Sequence, residues 1–132
     1  MTERDLYEPL IQGAKSEGWL LFRIQDDAPG LKPFDITGIT KTGRAVGLEV
    51  KVVDYFYQVC DRLAKHQQIY LEGYEIRNGL GLIGVYVAST KEMVVARYSH
   101  GSPFDELLYR TKLERVKIGE AEVFAKGWHN LE

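Results

Sequence analysis

Two alternating segments joined by a glycine-containing turn constrain the fold of this chain more than any other feature. Residues 32–39 and 47–52, read with a period of two, are predicted to be half-buried β-strands, and the polar segment 41–44 lies between them. A turn that contains glycine folds two such strands into an antiparallel hairpin. The second strand then has its aliphatic residues on one face and Glu49 and Lys51 on the other.

The polar face of this hairpin is predicted to gather two carboxylates and one ammonium group. When the apolar residues of both strands point inward, Asp35 of the first strand lies on the same face as Glu49 and Lys51 of the second. Carboxylate oxygens are hard ligands of the kind that Mg²⁺ prefers. We therefore predict a Mg²⁺ site with a lysine beside it. The alternative is a solvated ion pair on an exposed strand face.

Length, composition and charge indicate the broad class of protein. A chain of 132 residues with 45% hydrophobic residues is expected to form one domain, residues 1–132, around one core. It has no apolar run of membrane-spanning length and no charged-then-apolar leader, so we expect no membrane partner. The single Cys60 excludes an internal disulfide and fits a reducing cytoplasm. The net charge of −2 argues mildly against nucleic acid, although the carboxylates of a metal site partly hide a basic surface.

The first helix is predicted over residues 2–17, and Gly18 ends it. Its apolar residues recur at helical spacing and are Leu6, Tyr7, Leu10, Ile11 and Ala14. At about 100° per residue, Glu3 lies in the middle of this stripe and Glu8 lies well away from it. We therefore predict that Glu3 points towards the site on the sheet; the alternative is a frayed terminal residue. Pro9 falls within the pattern and allows a later helix start or a kink.

A second helix is predicted over residues 57–74 and carries one polar residue on its apolar face. The apolar residues of that face are Val59, Leu63, Tyr70, Leu71 and Tyr74. Gln67 falls among them, and a buried amide needs hydrogen-bond partners. We predict that Gln67 reaches the metal site or a substrate phosphate. The alternative is an amide that bonds to backbone within the core.

The remaining segments extend this pattern to an α/β fold. They are predicted as strands 19–24, 82–88 and 93–98, a surface loop 25–32, a short helix 103–109, and an edge strand or hairpin within 116–128. Together with the hairpin and the two helices they give the element order α-β-β-β-α-β, followed by an extension.

This order and the polar residues of the hairpin resemble the PD-(D/E)XK nucleases. Pro33 and Asp35 correspond to the "PD" of that superfamily, with Phe34 inserted, and residues 49–51 correspond to its "ExK". Two groups within the superfamily are the most similar. Nucleases of the VRR-NUC type share a plan that fits residues here in order, namely Glu3, Gly18, Arg23, Asp35, Glu49, Lys51 and Gln67.

The second similar group is the Holliday-junction resolvases. The archaeal enzymes begin with a run that resembles Glu3-Arg4-Asp5-Leu6 here, and RecU-type enzymes carry a pair similar to His66-Gln67. The resemblance covers about residues 2–88.

The resemblance implies a restriction-endonuclease-like core with a mixed central sheet flanked by helices. It implies a structure-selective DNA endonuclease, dependent on Mg²⁺ with Mn²⁺ as a substitute, that resolves four-way junctions by paired phosphodiester hydrolysis. Three alternatives stay open: a flap or general endonuclease, a catalytically silent nucleic-acid-binding module on the same fold, and an α/β protein unrelated to nucleic acid, which the acidic pI of about 5.9 favours.

The resemblance also implies roles for named residues. The catalytic set is Glu3, Asp35, Glu49, Lys51 and Gln67. The metal ligands are Asp35, Glu49, the Val50 carbonyl and Glu3. The DNA-backbone contacts are Arg4, Arg23, Lys32, Arg44, Lys65 and His66.

Assembly and localisation follow from the implied reaction. Two symmetric cuts require a twofold homodimer, because 132 residues hold one site. Apolar residues beyond the common core are candidates for its interface, with ordinary core as the alternative; they are Tyr55, Phe56, Tyr57, Phe104, Leu107, Leu108 and Tyr109. We expect a cytoplasmic protein, or one of the host cytoplasm if the chain is phage-encoded.

Overall fold

A computed structural model describes residues 1–25, 32–98 and 109–132. The helices in these ranges are Glu3–Ser16 (α1) and Lys65–Ile76 (α2). The strands are Leu20–Arg23 (β1), Ile36–Ile39 (β2), Ala45–Val53 (β3), Leu80–Val87 (β4), Glu92–Arg97 (β5), Tyr109–Lys112 (β6), Glu114–Ile118 (β7) and Ala121–Lys126 (β8). Short 3₁₀ turns cover Phe56–Gln58, Cys60–Arg62 and Trp128–Leu131.

Six strands form one mixed sheet in the order in which they occur in the chain. Strands β1, β2 and β3 are antiparallel neighbours, β3 and β4 are parallel, and β4, β5 and β6 are again antiparallel. The parallel pair requires a crossover, and α2 lies in that connection. Strands β7 and β8 form a separate hairpin. The predicted α/β class with a mixed central sheet is confirmed, and so is a hairpin within residues 116–128.

The predicted hairpin within residues 32–52 is confirmed, but its first strand begins at Ile36, so Asp35 precedes that strand and does not lie on it. Phe34 and Ile36, predicted to point inward together, pack in separate clusters of the core. Ile36 pairs with Leu48 and Gly38 with Val46, and Gly43 in the turn has a φ of 89°, which glycine adopts without strain. Strand β3 runs on to Val53, whereas β2 begins only at Ile36. Within the part of the chain that the structure describes, the second half of β3 therefore has no strand partner on the β2 side, and this open edge is where the polar residues gather.

Apolar side chains cover both faces of the sheet. On one face α1 packs with the β7–β8 hairpin, and Trp19 and Trp128 meet there with ring centroids 5.2 Å apart. The helix approaches the hairpin so closely that a Cβ atom on Gly13 would lie 1.4 Å from the Phe124 carbonyl oxygen. On the other face α2 packs over a second cluster that contains Phe34.

The second helix begins later than the sequence pattern predicted. It starts at Lys65, and residues 56–62 form two 3₁₀ turns instead. Leu63 and Ala64 have extended backbones, with ψ of 123° and 152°, which separates the turns from the helix. Val59 and Leu63 are still buried against the sheet. The apolar spacing therefore predicted correctly that Val59 and Leu63 are buried, although the backbone there is not α-helical.

The other predicted elements differ less. Helix α1 is continuous over Glu3–Ser16 with Pro9 inside it, and Thr2 is its N-cap. Of the helix predicted at 103–109, residues 103–108 lie outside the described residues, and Tyr109 begins β6. The candidate interface residues Phe104, Leu107 and Leu108 lie outside them as well. Within the described ranges, neither helix has the length and apolar character needed to span a bilayer.

Candidate functional site

Two carboxyl groups meet at the open edge of β3. Asp35 directly precedes β2, and its Oδ2 accepts a hydrogen bond from the Val50 N–H at 3.0 Å. The carboxylate thus accepts the backbone N–H of β3 that a backbone carbonyl would accept if β2 were longer. Glu49 points to the α2 face, where its carboxyl group hydrogen-bonds to that of Asp35. Only 1% of the Glu49 surface and 9% of the Asp35 surface is exposed.

This contact changes the protonation of Glu49. Burial is the largest cause, the negative charge of Asp35 is the second, and together they raise the pKa of Glu49 to about 8. The positive charges of Lys51 and Lys32 oppose the change and are too weak to cancel it. At neutral pH the Glu49 carboxyl group therefore keeps its proton. A divalent cation in the same position would take the place of that proton, so this donor set fits Mg²⁺.

Each carboxylate also has an ammonium group beside it. Lys51 Nζ lies 3.8 Å from Glu49 Oε2, and Lys32 Nζ lies 3.3 Å from Asp35 Oδ1. Both lysine side chains are largely buried, at 13% and 26% exposure. Lys32, predicted as a DNA contact, thus lies within the site and beside its carboxylates.

Gln67 reaches the site from the first turn of α2. Its Nε2 donates to Glu49 Oε2 at 2.8 Å, and its Oε1 accepts from the Ala64 N–H at 2.9 Å. The second bond satisfies a backbone donor at the helix N-terminus and fixes which end of the amide faces Glu49. The amide therefore bonds to backbone and to Glu49 at once, and its role at a metal site stays a prediction.

The Val50 backbone faces the same place. The N–H and C=O groups of one strand residue point to the same side of the strand. The Val50 N–H points to Asp35, so its carbonyl is directed to that side too. The neighbouring residues of β3 pair with β4 on the other side, as the bond from Ala88 N–H to the Val53 carbonyl illustrates.

Glu3 is held apart from the two carboxyl groups. Its Oε1 lies 3.5 Å from Nη2 of Arg62, and Arg62 Nη1 donates to the carbonyl of Val52. Glu3 thus lies beside β3 near Val52 but is paired with a guanidinium group. Among the residues that the structure describes, no three acidic, histidine or cysteine side chains converge as metal ligands would. A role for Glu3 as a metal ligand stays a prediction.

Arg62 is the functional candidate that sequence reasoning missed. It was assigned to a continuous helix, whereas it sits on a 3₁₀ turn that carries it to the edge of β3. The only sequence signal is a cation between two buried apolar residues, Val59 and Leu63. Such a pattern does not specify what the cation contacts.

Most of the predicted DNA contacts lie around the site. Lys65 and His66 are the first residues of α2 and precede Gln67. Arg23 ends β1 opposite Ile36 and stacks over the Tyr7 ring at 5.0 Å. Arg4 is exposed on the first turn of α1.

Arg44 lies elsewhere. It comes five residues before Glu49, about 16 Å away along an extended strand, and its Nε donates to the Asn78 carbonyl at 3.0 Å. Arg44 therefore belongs to the opposite end of β3, and its predicted contribution to DNA binding at this site is not supported by its position.

No protein-family model matches this chain, and a search of curated proteins found no match either. The chemistry of the site is therefore inferred from its own geometry. The site holds a protonated Glu49 beside Asp35, two ammonium groups and an oriented amide. Such a set can bind a divalent cation or exchange a proton at mildly alkaline pH.

Proposed function

We propose that this chain is a metal-dependent endonuclease of the PD-(D/E)XK type that acts on branched DNA. The observation that carries the proposal is the convergence of Asp35, Glu49, Lys51 and Gln67 into one buried site, from the segment before β2, from β3 and from α2. The order α1-β1-β2-β3-α2-β4, with β3 and β4 parallel, supports a restriction-endonuclease-like core.

Asp35, Glu49 and the Val50 carbonyl would hold Mg²⁺, with Mn²⁺ as a substitute. The bound ion supplies Lewis-acid chemistry, lowering the pKa of water and offsetting charge on the scissile phosphate. Metal binding must displace the proton on the Glu49 carboxyl group, so binding strengthens as pH rises towards 8. This displacement is measurable without any substrate.

The chain's own side chains then position the substrate. The Lys51 ammonium, 3.8 Å from Glu49, offsets the negative charge that grows on the phosphate in the transition state. Gln67 keeps Glu49 Oε2 in place through its 2.8 Å hydrogen bond. Cations around the site, among them Lys65 and Arg23, contact backbone phosphates, which position DNA without reading its sequence.

One observation favours the silent nucleic-acid-binding alternative. Glu3, the third carboxylate of the implied catalytic set, is paired with Arg62 at 3.5 Å. Activity therefore requires either that two carboxylates suffice or that Glu3 leaves Arg62 when metal binds. A variant that removes the arginine charge, Arg62→Gln, separates these cases, because a released Glu3 would bind Mg²⁺ more readily.

The test is cleavage of labelled four-way junction, flap and duplex DNA with Mg²⁺ or EDTA. We expect metal-dependent cleavage that is greatest on the junction. Asp35→Asn is expected to abolish cleavage and to retain DNA binding, because the amide oxygen can still accept the Val50 N–H while the metal ligand is lost. Glu8→Gln is the matched control, since Glu8 is exposed on the far side of α1.

Two results would contradict the proposal. Absence of metal-dependent cleavage on all three DNAs would remove the endonuclease, and full activity of Asp35→Asn would remove this site. Junction resolution in addition requires a homodimer. Light scattering that finds a monomer both alone and bound to a junction would leave a nuclease that makes single nicks.

A further inference from the structure

Two tyrosines form an exposed aromatic surface just beyond the strand that carries Glu49 and Lys51. The rings of Tyr55 and Tyr57 lie 11° from parallel with centroids 5.9 Å apart. They are 53% and 75% exposed, and Tyr57 is the most exposed large hydrophobic residue in the described part of the chain. We call this pair the tyrosine platform.

Hydrogen bonds and packing fix the backbone that carries the tyrosine platform. The side-chain Oε1 of Gln58 accepts the N–H groups of Asp54 and Tyr55 at 3.1 and 2.9 Å. Between the two tyrosines, Phe56 packs against the buried cluster under α2. The tyrosines are therefore presented to solvent by a fixed turn, and their exposure is a property of the fold.

A cleft of about 510 Å³ adjoins the platform. Its walls include the platform itself and the ends of β4 and β5, with Ser89, Thr90 and Lys112 among the lining residues. This volume falls within the roughly 300–1,000 Å³ of small-molecule sites. Hydroxyl groups can donate and accept hydrogen bonds, so the cleft offers polar partners beside an aromatic face.

We infer that the tyrosine platform binds an unpaired nucleobase of the DNA strand that passes through the Asp35–Glu49 site. A nucleobase has a π-face for the rings and a polar edge for the hydroxyl groups of the cleft, and stacking of this kind tolerates any sequence. Tyr55 follows Lys51 by four residues, at most about 14 Å, which equals about four nucleotides of stacked strand.

A second copy of this chain is the competing occupant, and the size of the platform argues against it. Stable protein interfaces involve roughly 20–30 residues on each side. The platform has two side chains, flanked by the exposed ion pair of Lys112 with Glu92. A single flat ring fits such a surface better than a protein face does. The inference rests on the proposed function, because it requires DNA at the neighbouring site.

The experiment measures binding of labelled gapped duplex by fluorescence anisotropy in EDTA, where no cleavage occurs. One DNA carries four unpaired bases in the gap, and the other carries abasic residues there. We expect Tyr57→Ala to weaken binding of the first DNA roughly 5- to 150-fold and to leave binding of the second unchanged. Tyr57→Phe should bind like the wild type. Phe22→Ala is the matched control, because Phe22 is 60% exposed on β1.

Each other outcome identifies what is wrong. If the wild type binds and cleaves DNA but Tyr57→Ala retains its preference for the base-containing gap, the inference is overturned and the proposed function stands. If Tyr57→Ala instead converts a dimer to a monomer with base preference unchanged, the platform is an interface and the inference is overturned. If the wild type binds neither DNA at low salt, the proposed function and the inference fall together.

Discussion

Replacing Glu49 with glutamine is expected to stabilise the protein in the absence of metal. Each unit of pKa change corresponds to about 1.4 kcal/mol, and the pKa of Glu49 is raised from 4.5 to about 8. Up to about 5 kcal/mol of unfolding free energy is therefore lost above pH 8, and about 3 kcal/mol at pH 7. The substitution removes the group that causes this loss.

The introduced amide can keep the hydrogen bonds of the carboxyl group it replaces. Its NH₂ group can donate to Asp35, as the protonated carboxyl does, and its oxygen can accept from Gln67 Nε2. The shape is also conserved, so no cavity forms. We therefore expect most of the calculated gain to appear in the measured stability.

The pH dependence gives the sign of the effect. Because the folded-state pKa exceeds the unfolded value, the folded protein keeps a proton that the unfolded chain releases between about pH 4.5 and 8. The contribution of Glu49 to stability is fully present below pH 4.5 and is lost as pH rises through 8. The Glu49→Gln variant lacks this decline, so the two stability curves should diverge with rising pH.

Urea unfolding followed by tryptophan fluorescence measures the difference, since Trp19 and Trp128 are both buried. The titrations run at pH 5, 6, 7 and 8 in EDTA, with Glu8→Gln as a control that should follow the wild type. A Glu49→Gln variant less stable than wild type at pH 8, or a difference that does not change with pH, would refute the assignment of a proton to Glu49.

Two further substitutions test the packing around the site. Gly47→Ala should lower the unfolding free energy by about 1–3 kcal/mol, because a Cβ atom there would lie 2.1 Å from Cε2 of the Phe34 ring; an unchanged urea midpoint would mean that the ring moves freely. Glu75→Gln should cost about 2–4 kcal/mol, because it leaves the charge of Arg97, only 21% exposed, without its carboxylate. Glu92→Gln, which breaks the exposed ion pair with Lys112, should lower the unfolding free energy by less than about 1 kcal/mol. Equal losses for Glu75→Gln and Glu92→Gln would contradict this reasoning.

The strand alternation was sufficient to predict that Glu49 and Lys51 share one face of β3. A strand places its side chains with a period of two, so assigning the aliphatic residues of β3 to the core also assigns Glu49 and Lys51 to the opposite face. The hairpin turn then limits where Asp35 can lie. These are local constraints, and local constraints are what a sequence displays directly.

The contacts of Glu3 could not be predicted in the same way. The helical angle predicted the face of α1 on which Glu3 lies. Its ion-pair partner, Arg62, is 59 positions away and lies on a 3₁₀ turn, where the apolar spacing had predicted a helix. Periodicity indicates which residues are buried, but it does not determine the backbone conformation. Val59 and Leu63 are spaced as on an α-helix and are buried, although the residues between them form a 3₁₀ turn. The choice of ion-pair partner depends on tertiary packing, which no local pattern records.

The enclosure of α1 by the β7–β8 hairpin has a consequence for how this chain folds during synthesis. Ser16 bonds to the Ala125 carbonyl across 109 positions, and Glu17 bonds to the Trp128 N–H across 111. At roughly 5–20 residues per second, the ribosome needs roughly 5–20 s to make the segment that covers the helix. The side of α1 that carries Gly13 stays uncovered for that time, and the large share of distant contacts slows the final closure of the fold.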